Sequence, residues 1–215
     1  VLTGAQNIVI GRLAGQDLTS ANKSTIVGWS AAKEATTAAE NTYIGYLAAG
    51  TGIGTSAYNV AIGNEAAEAA TSMSESTVVG YKAATANTTG SHILAIGYTA
   101  YDVADTENHN LAIGTNALGG AVAGGEYNVA VGNYTLDALT SGDHNIAMGY
   151  NAGTTLSTGG HNVVIGNAAG GVISTGGANI CIGSDAGNAG TALTTGDTNI
   201  FIGQSINAGA SGRLR

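Results

Sequence analysis

The chain repeats a short pattern in which a polar residue is followed by three apolar or small residues and then by glycine. The pattern reads Asn-Ile-Val-Ile-Gly at 7–11, Asn-Val-Ala-Ile-Gly at 59–63 and Asn-Val-Val-Ile-Gly at 162–166. Its glycine recurs at spacings of 17 or 18 residues, and of 20 at the last step. A fixed period of this kind is the signature of a repeat architecture, so we interpret residues 1–215 as one array of twelve coils. The motif glycines are Gly11, Gly28, Gly45, Gly63, Gly80, Gly97, Gly114, Gly132, Gly149, Gly166, Gly183 and Gly203.

The apolar residues of the motif alternate as they do in a β-strand. The residue before each motif glycine is Ile, Val or Met, and the residue two places earlier is β-branched or Leu. Such residues favour a pleated strand over a helix. A strand of about five residues cannot stand alone, so neighbouring copies must pair. We therefore predict an all-β fold, a β-solenoid whose strands stack coil on coil, with these two columns facing the interior.

Small and turn-forming residues mark two corners in each coil. Ala usually follows the motif glycine by three places, as at Ala31 and Ala169, and suits the tight interior of a turning chain. A second set of glycines, including Gly142 and Gly159, lies seven residues before the motif glycine within Thr-Gly and Ser-Gly turns. Two corners predict a flattened β-roll with two short strands per coil. Pro would break the ladder of backbone hydrogen bonds, and none occurs.

The middle apolar position of each motif predicts how the chain associates. Alternation along the strand directs this residue away from the interior predicted above. A solvated outward column should be polar, yet this one is apolar or aromatic in every coil. A long apolar stripe indicates an interface, so we predict self-association. The predicted subunit interface is Val9, Ile26, Tyr43, Ala61, Val78, Ala95, Ala112, Ala130, Ala147, Val164, Cys181 and Phe201.

Composition excludes several classes of protein. The chain has 35 Gly, one Trp and one Phe, and its formal net charge is −8. The six Lys and Arg form no basic cluster, which argues against nucleic-acid binding. No apolar stretch approaches the length of a membrane span. The single Cys181 excludes an internal disulfide framework.

The Asn-Val-Ala-Ile-Gly-x-x-Ala pattern resembles the head repeats of trimeric autotransporter adhesins. It is still more similar to related repeats of bacteriophage tail fibres, as in Leu-Ala-Ile-Gly-Tyr-Thr-Ala at 94–100. The resemblance covers nearly the whole chain. It implies a parallel homotrimer of β-rolls on a virion surface or outside a cell, attached to other fibre or virion proteins and serving host attachment. No capping unit is recognised at either end, so we expect a segment, or an array capped by other parts of an assembly.

Two columns carry candidate chemistry. An aromatic residue follows several motif glycines, and such rings can stack on sugars, so we predict a receptor-contact strip for cell-surface glycan. Its members are Trp29, Tyr46, Tyr81, Tyr98 and Tyr150. Packing of these rings on the roll surface is the simpler explanation and the favoured one. The four histidines, His92, His109, His144 and His161, all lie five residues before a motif glycine. Neighbouring histidines can bind a metal or respond to pH, but the mixed composition of the column favours a solvated edge.

We assign no catalytic residue, cofactor or metal, and predict a structural and adhesive fibre segment rather than an enzyme. The alternatives are an adhesin head domain and, less favoured, a hexapeptide-repeat acyltransferase. Acyltransferases of that type repeat every six residues, whereas one apolar strand recurs here every 17. An ice-binding surface would need a flat outward column of Thr, which the sequence lacks. The polar residue that opens the motif is Asn in most coils, either stacked along the axis or forming a turn.

Overall fold

The computed structural model describes residues 4–50, 56–104, 106–188 and 193–206. The chain divides into two compact units, Val1–Asn108 and His109–Arg215. Each unit contains six three-residue strands, one per coil, and no α-helix occurs among the described residues. The all-β class and the β-solenoid predicted from the repeat are confirmed.

In the first unit, each strand pairs in parallel with the strand of the next coil, residue for residue. Within β1 and β2, for example, Val9 faces Ile26 across the ladder. The in-register pairing places equivalent positions of successive coils in straight columns. The strands are β1 (Ile8–Ile10), β2 (Thr25–Val27), β3 (Thr42–Ile44), β4 (Val60–Ile62), β5 (Thr77–Val79) and β6 (Leu94–Ile96).

The second unit repeats this arrangement. Its strands also pair in parallel and in register, so that Val164 of one coil faces Cys181 of the next. The strands are β7 (Leu111–Ile113), β8 (Val129–Val131), β9 (Ile146–Met148), β10 (Val163–Ile165), β11 (Ile180–Ile182) and β12 (Ile200–Ile202).

The predicted second strand of each coil is wrong. Opposite the strand, the described residues form bends and turns. Adjacent coils still bond there: the amide of Thr71 donates to the carbonyl of Thr88 at 2.7 Å, and that of Thr140 donates to Ser157 at 2.8 Å. Short Thr-, Ser- and Gly-rich stretches bend too sharply for extended backbone, so neighbouring donors share one carbonyl there instead of forming a ladder, as the amides of Ser157, Thr158 and Gly159 share the carbonyl of Ser174.

The arc that follows each strand alternates between ordinary and left-handed backbone. The motif glycine itself has a φ between 126° and 146° in all twelve coils. The residue two places later has a positive φ, and so does the residue four places later in most coils. A third left-handed column lies five residues before the motif glycine, from Gln6 to Thr198. Non-glycine residues seldom adopt this conformation, and here it recurs once or more in every coil because each coil copies the turns of its neighbour.

The core of each unit is filled by inward side chains of different sizes. The alanines that follow the motif glycine by three places are buried, as predicted, except Ala14 in the first coil, which is half-buried. In the coil of Ala130, the buried leucines are Leu136 and Leu139. In the coil of Val164, a glycine stands at the position of Leu136, and an added Cβ on Gly170 would lie 2.9 Å from Val164 Cγ1. The sizes of the inward residues therefore vary from coil to coil.

A ladder of buried asparagine side chains runs along the second unit. The Oδ1 of Asn128 accepts hydrogen bonds from the main-chain amide and the Nδ2 of Asn145, at 2.9 and 3.1 Å. The Oδ1 of Asn145 in turn accepts hydrogen bonds from the main-chain amide and the Nδ2 of Asn162, at 2.9 and 3.1 Å. Each Nδ2 also donates to a carbonyl at the second corner of the next coil, as from Asn145 to Gly159 at 2.9 Å. Of the two explanations for the motif's Asn, the stacked ladder is therefore the one that the structure shows.

Candidate interaction surface

The surface of each unit carries two apolar columns, formed by the first and third residues of the strands. We call these the flanking columns. Their side chains point outward and are half-buried by their neighbours above and below or exposed, as at Ile96 (37% exposed) and Met148 (41%). None of these residues is charged, and Thr25, Thr42 and Thr77 are the polar ones. Each unit therefore presents a stripe of Ile, Val and Leu to its surroundings.

The predicted subunit interface is wrong in its orientation, because the middle strand residues point into the solenoid. Val9 of β1, which is covered by a neighbouring strand on one side only, is exposed. The other eleven are buried within the single chain: Ile26, Tyr43, Ala61, Val78, Ala95, Ala112, Ala130, Ala147, Val164, Cys181 and Phe201. Their side chains therefore contact this chain's own core and leave little or no area for a second copy.

The inversion has a physical cause. Alternation along a strand defines two faces but does not say which of them is inside when both are apolar. The prediction places the columns of Ile and Val inside. The structure instead buries the middle residues whatever their size, from Ala130 to Ile26 and Tyr43, so the size of a side chain does not decide which face it is on. The frequent Ala at the middle position, and Thr at the first strand position, are the sequence signals that indicate this orientation.

The aromatic strip lies exposed beside the flanking columns. In the first unit, Trp29 stacks on Tyr46 at 4.9 Å between ring centroids and 8° between planes, and Tyr81 stacks on Tyr98 at 5.2 Å and 15°. In the second unit, Tyr150 meets the edge of the Tyr134 ring at 5.9 Å. The five predicted residues are all exposed. Their contact with a receptor stays a prediction, and the stacking shows that much of their ring area already covers other rings of the chain.

One ion pair lies beside the aromatic strip in the first unit. Lys82 Nζ lies 3.2 Å from Glu65 Oε2 and 5.7 Å from the centroid of the Tyr81 ring. The hydrogen bond to Glu65, with the charge of the same carboxylate, raises the pKa of Lys82. The Lys82 side chain is 41% exposed, and solvent screens the pair, so it orients the side chain without adding much stability.

The column that contains the histidines is a matched ladder rather than a set of independent side chains. Lys23 Nζ binds Glu40 Oε1 at 3.2 Å, and Glu75 Oε2 lies 3.0 Å from His92 Nε2. In the second unit the column becomes a face-to-face stack with centroid separations of 4.8, 5.0 and 5.0 Å, formed by His109, Tyr127, His144 and His161. Each side chain in these runs forms an ion pair or a ring stack with the side chain in the adjacent coil. The mixed composition of the column does not predict this pairing.

Two further observations limit the metal binding and the thiol reactivity that the described residues can support. Within 4–50, 56–104, 106–188 and 193–206, no group of three or more His, Cys, Asp and Glu side chains is placed to hold a metal ion. The single thiol, Cys181, is buried in the core, and burial raises the pKa of that thiol to about 11. A buried thiol of this kind is a packing residue and a poor nucleophile at neutral pH.

No helix in the described part of the chain has the length and apolar character needed to cross a membrane. Comparison with known proteins adds no relative: no family model, no curated protein and no solved structure matches the chain significantly.

Proposed function

We propose that the chain is a structural and adhesive segment of a fibre, assembled as a parallel homotrimer through the flanking columns. The carrying observation is the outward stripe of uncharged Ile, Val and Leu side chains in each unit. Apolar stripes of this length are uncommon on monomeric proteins and are typical of interfaces. Burying a fully exposed side chain of this kind contributes roughly 1.5–3 kcal/mol. Most flanking side chains are half-buried already and gain a fraction of that, which repetition along the stripe adds up to support a stable assembly.

A second copy of the same chain fits the stripe better than an unrelated partner. Successive coils place the flanking side chains at one regular spacing, about 4.8 Å. A parallel copy presents the same spacing, so its side chains can enter the gaps between those of the first. The number three and the attachment role rest on the resemblance of the motif to phage tail-fibre repeats, and an adhesin head is the alternative with the same surface. The proposed location is a virion surface or the extracellular space.

Assembly is tested by the native mass of the purified chain across a concentration series. We expect three copies of the 21.0 kDa chain at micromolar concentration, with dissociation only on dilution. A mass of one copy throughout that range contradicts the proposal.

Attachment is tested separately with the fluorescently labelled chain on a glycan array and on whole bacteria. We expect saturable binding that excess unlabelled chain displaces. If the trimer forms but no surface or glycan is bound, the adhesive part of the proposal fails and the structural part stands.

A further inference from the structure

His144 and His161 form an exposed pair on the surface of the second unit. They lie at equivalent positions of adjacent coils, and their rings stack at 5.0 Å with 16° between planes. The backbone holds both residues: each has a left-handed φ, 57° and 61°, and the His161 amide donates to the Asp143 carbonyl at 2.9 Å. The next strands pair in register, with Ile146 facing Val163. The backbone therefore holds the two histidines side by side, one coil apart, before any ligand arrives.

The ring nitrogens of this pair are available. Among the described residues, the side chains of His144 and His161 make ring contacts but no hydrogen bond to protein atoms. His92 differs, because its Nε2 is engaged by Glu75 at 3.0 Å. The column continues beyond His161 with the exposed and small Ala178, which leaves the outer face of the His161 ring open.

We propose that His144 and His161 together chelate a divalent late transition metal, of the class Cu²⁺, Ni²⁺ or Zn²⁺, with water completing the coordination. Neutral imidazole is the ligand that these ions prefer. Two nitrogens bound to one metal lie about 3 to 4 Å apart, because each metal–nitrogen bond is about 2.0–2.1 Å. Because each nitrogen lone pair lies in the plane of its ring, binding one metal requires both rings to rotate out of the stack about their side-chain torsions until the two nitrogens converge. This site is independent of self-association, since both ligands belong to one chain.

The surroundings favour a cation. Glu126 and Asp143 lie directly before Tyr127 and His144 in the sequence, and Glu126 is half-buried whereas Asp143 is exposed. Asp143 Oδ1 accepts a hydrogen bond from the Glu126 amide at 2.8 Å, which holds that negative charge beside the column. The two imidazoles are tethered one coil apart, so the second imidazole adds to affinity as a tethered ligand does.

The test is a calorimetric titration of the chain, made without a histidine tag, with Ni²⁺ and with Cu²⁺. His161→Phe and His144→Phe remove the nitrogens but keep a ring in the stack, as Tyr127 does in the same column. His92→Phe is the matched control. We expect one site per chain, and binding about tenfold weaker or more in each of the first two variants, with less than a twofold change in the control.

Three further outcomes decide the proposal. Nitrogen hyperfine splitting from two imidazoles in the Cu²⁺ electron paramagnetic resonance spectrum supports it, provided that either Phe variant removes the splitting. Unchanged affinity in both Phe variants overturns it, as does an equal loss in His92→Phe. If circular dichroism shows that a Phe variant is unfolded, His161→Gln takes its place and the same criteria apply.

Discussion

At the scale of single residues, the motif glycine meets two requirements at once. Gly166 has a φ of 138°, and a Cβ added there would collide with the carbonyl of Gly183 in the next coil. The first requirement is conformational and the second is steric, so no other residue satisfies both. The repeat of this glycine could be read from the sequence, and so could its place at a corner.

The matched pair Gly166→Ala and Gly177→Ala tests this requirement. Gly177 lies outside the left-handed region, and its added Cβ would meet the nearest atom at 3.1 Å. We expect Gly166→Ala to lower the free energy of unfolding by about 1–3 kcal/mol or more, and Gly177→Ala to cost less. Chemical denaturation measures both. Equal losses would show that the left-handed backbone at Gly166 is not the source of the cost.

The buried asparagines are a second requirement at this scale. The carboxamide of Asn145 serves the coil before it, through Asn128, and the coil after it, through Asn162 and Gly159. Removing it leaves buried donors and acceptors without partners, and each such group costs about 1–3 kcal/mol. The sequence indicated a ladder but could not separate it from a turn, because Asn suits both.

Asn145→Ala is expected to destabilise the second unit by about 2–5 kcal/mol, the sum of two or three orphaned groups. Asn145→Ser should recover part of this loss, because the hydroxyl of Ser24 already accepts the amide of Asn41 at 3.2 Å in the first unit. Asn167→Ala, at an exposed position, is the control. Thermal denaturation followed by circular dichroism ranks the three, and a neutral Asn145→Ala variant would contradict the ladder.

The columns of residues with left-handed backbone could not be predicted from the residue types alone. Lys23 and Leu47 adopt positive φ, although neither residue type is typical of that region. The stacking of coils favours this conformation, since the amide of Lys23 donates to the Ala5 carbonyl and that of Leu47 to the Trp29 carbonyl in the adjacent coil. The conformational preferences of the individual residue types therefore do not predict the positive φ at these positions.

At the scale of the element, the strand shows both what the pattern predicts and where it is ambiguous. Its position, its parallel pairing and its register followed from the spacing of the motif glycines. Its orientation did not, because both faces are apolar. Inward Val164 and outward Ile165 differ in size by one methylene group, and in β2 the order is reversed, with Ile26 inside and Val27 outside. Side-chain size therefore does not identify the inner face.

Leu156→Ala and Leu111→Ala compare an inward position with an outward one by the same chemical change. Leu156 is fully buried, whereas Leu111 in β7 is half-buried. We expect Leu156→Ala to cost about 2–5 kcal/mol, because a cavity remains in the core, and Leu111→Ala to cost less than half of that. The comparison is made by urea denaturation at a concentration where the chain has one subunit. A larger loss at Leu111 would reverse the assignment of the two faces.

At the scale of the whole molecule, the two sides of each strand have separate tasks. The inward residues fold the coil, and the outward flanking columns hold copies together in the proposed assembly. The sequence predicted the apolar character of both sides and the need for a partner, but it attached the partner to the inward side. The matched ladder of Lys, Glu, His and Tyr is likewise a property of stacked coils and emerges only when adjacent repeats are placed together.

A pair of charge substitutions tests this division most directly, with circular dichroism and sedimentation equilibrium measured on the same samples. Val164→Asp places a carboxylate in the core, and we predict loss of the β signal. The double variant Ile113→Asp with Ile165→Asp should keep that signal and sediment as one chain of 21.0 kDa, because a parallel assembly brings identical carboxylates together. A folded Val164→Asp chain, or a double variant that assembles like the unsubstituted protein, would contradict the account.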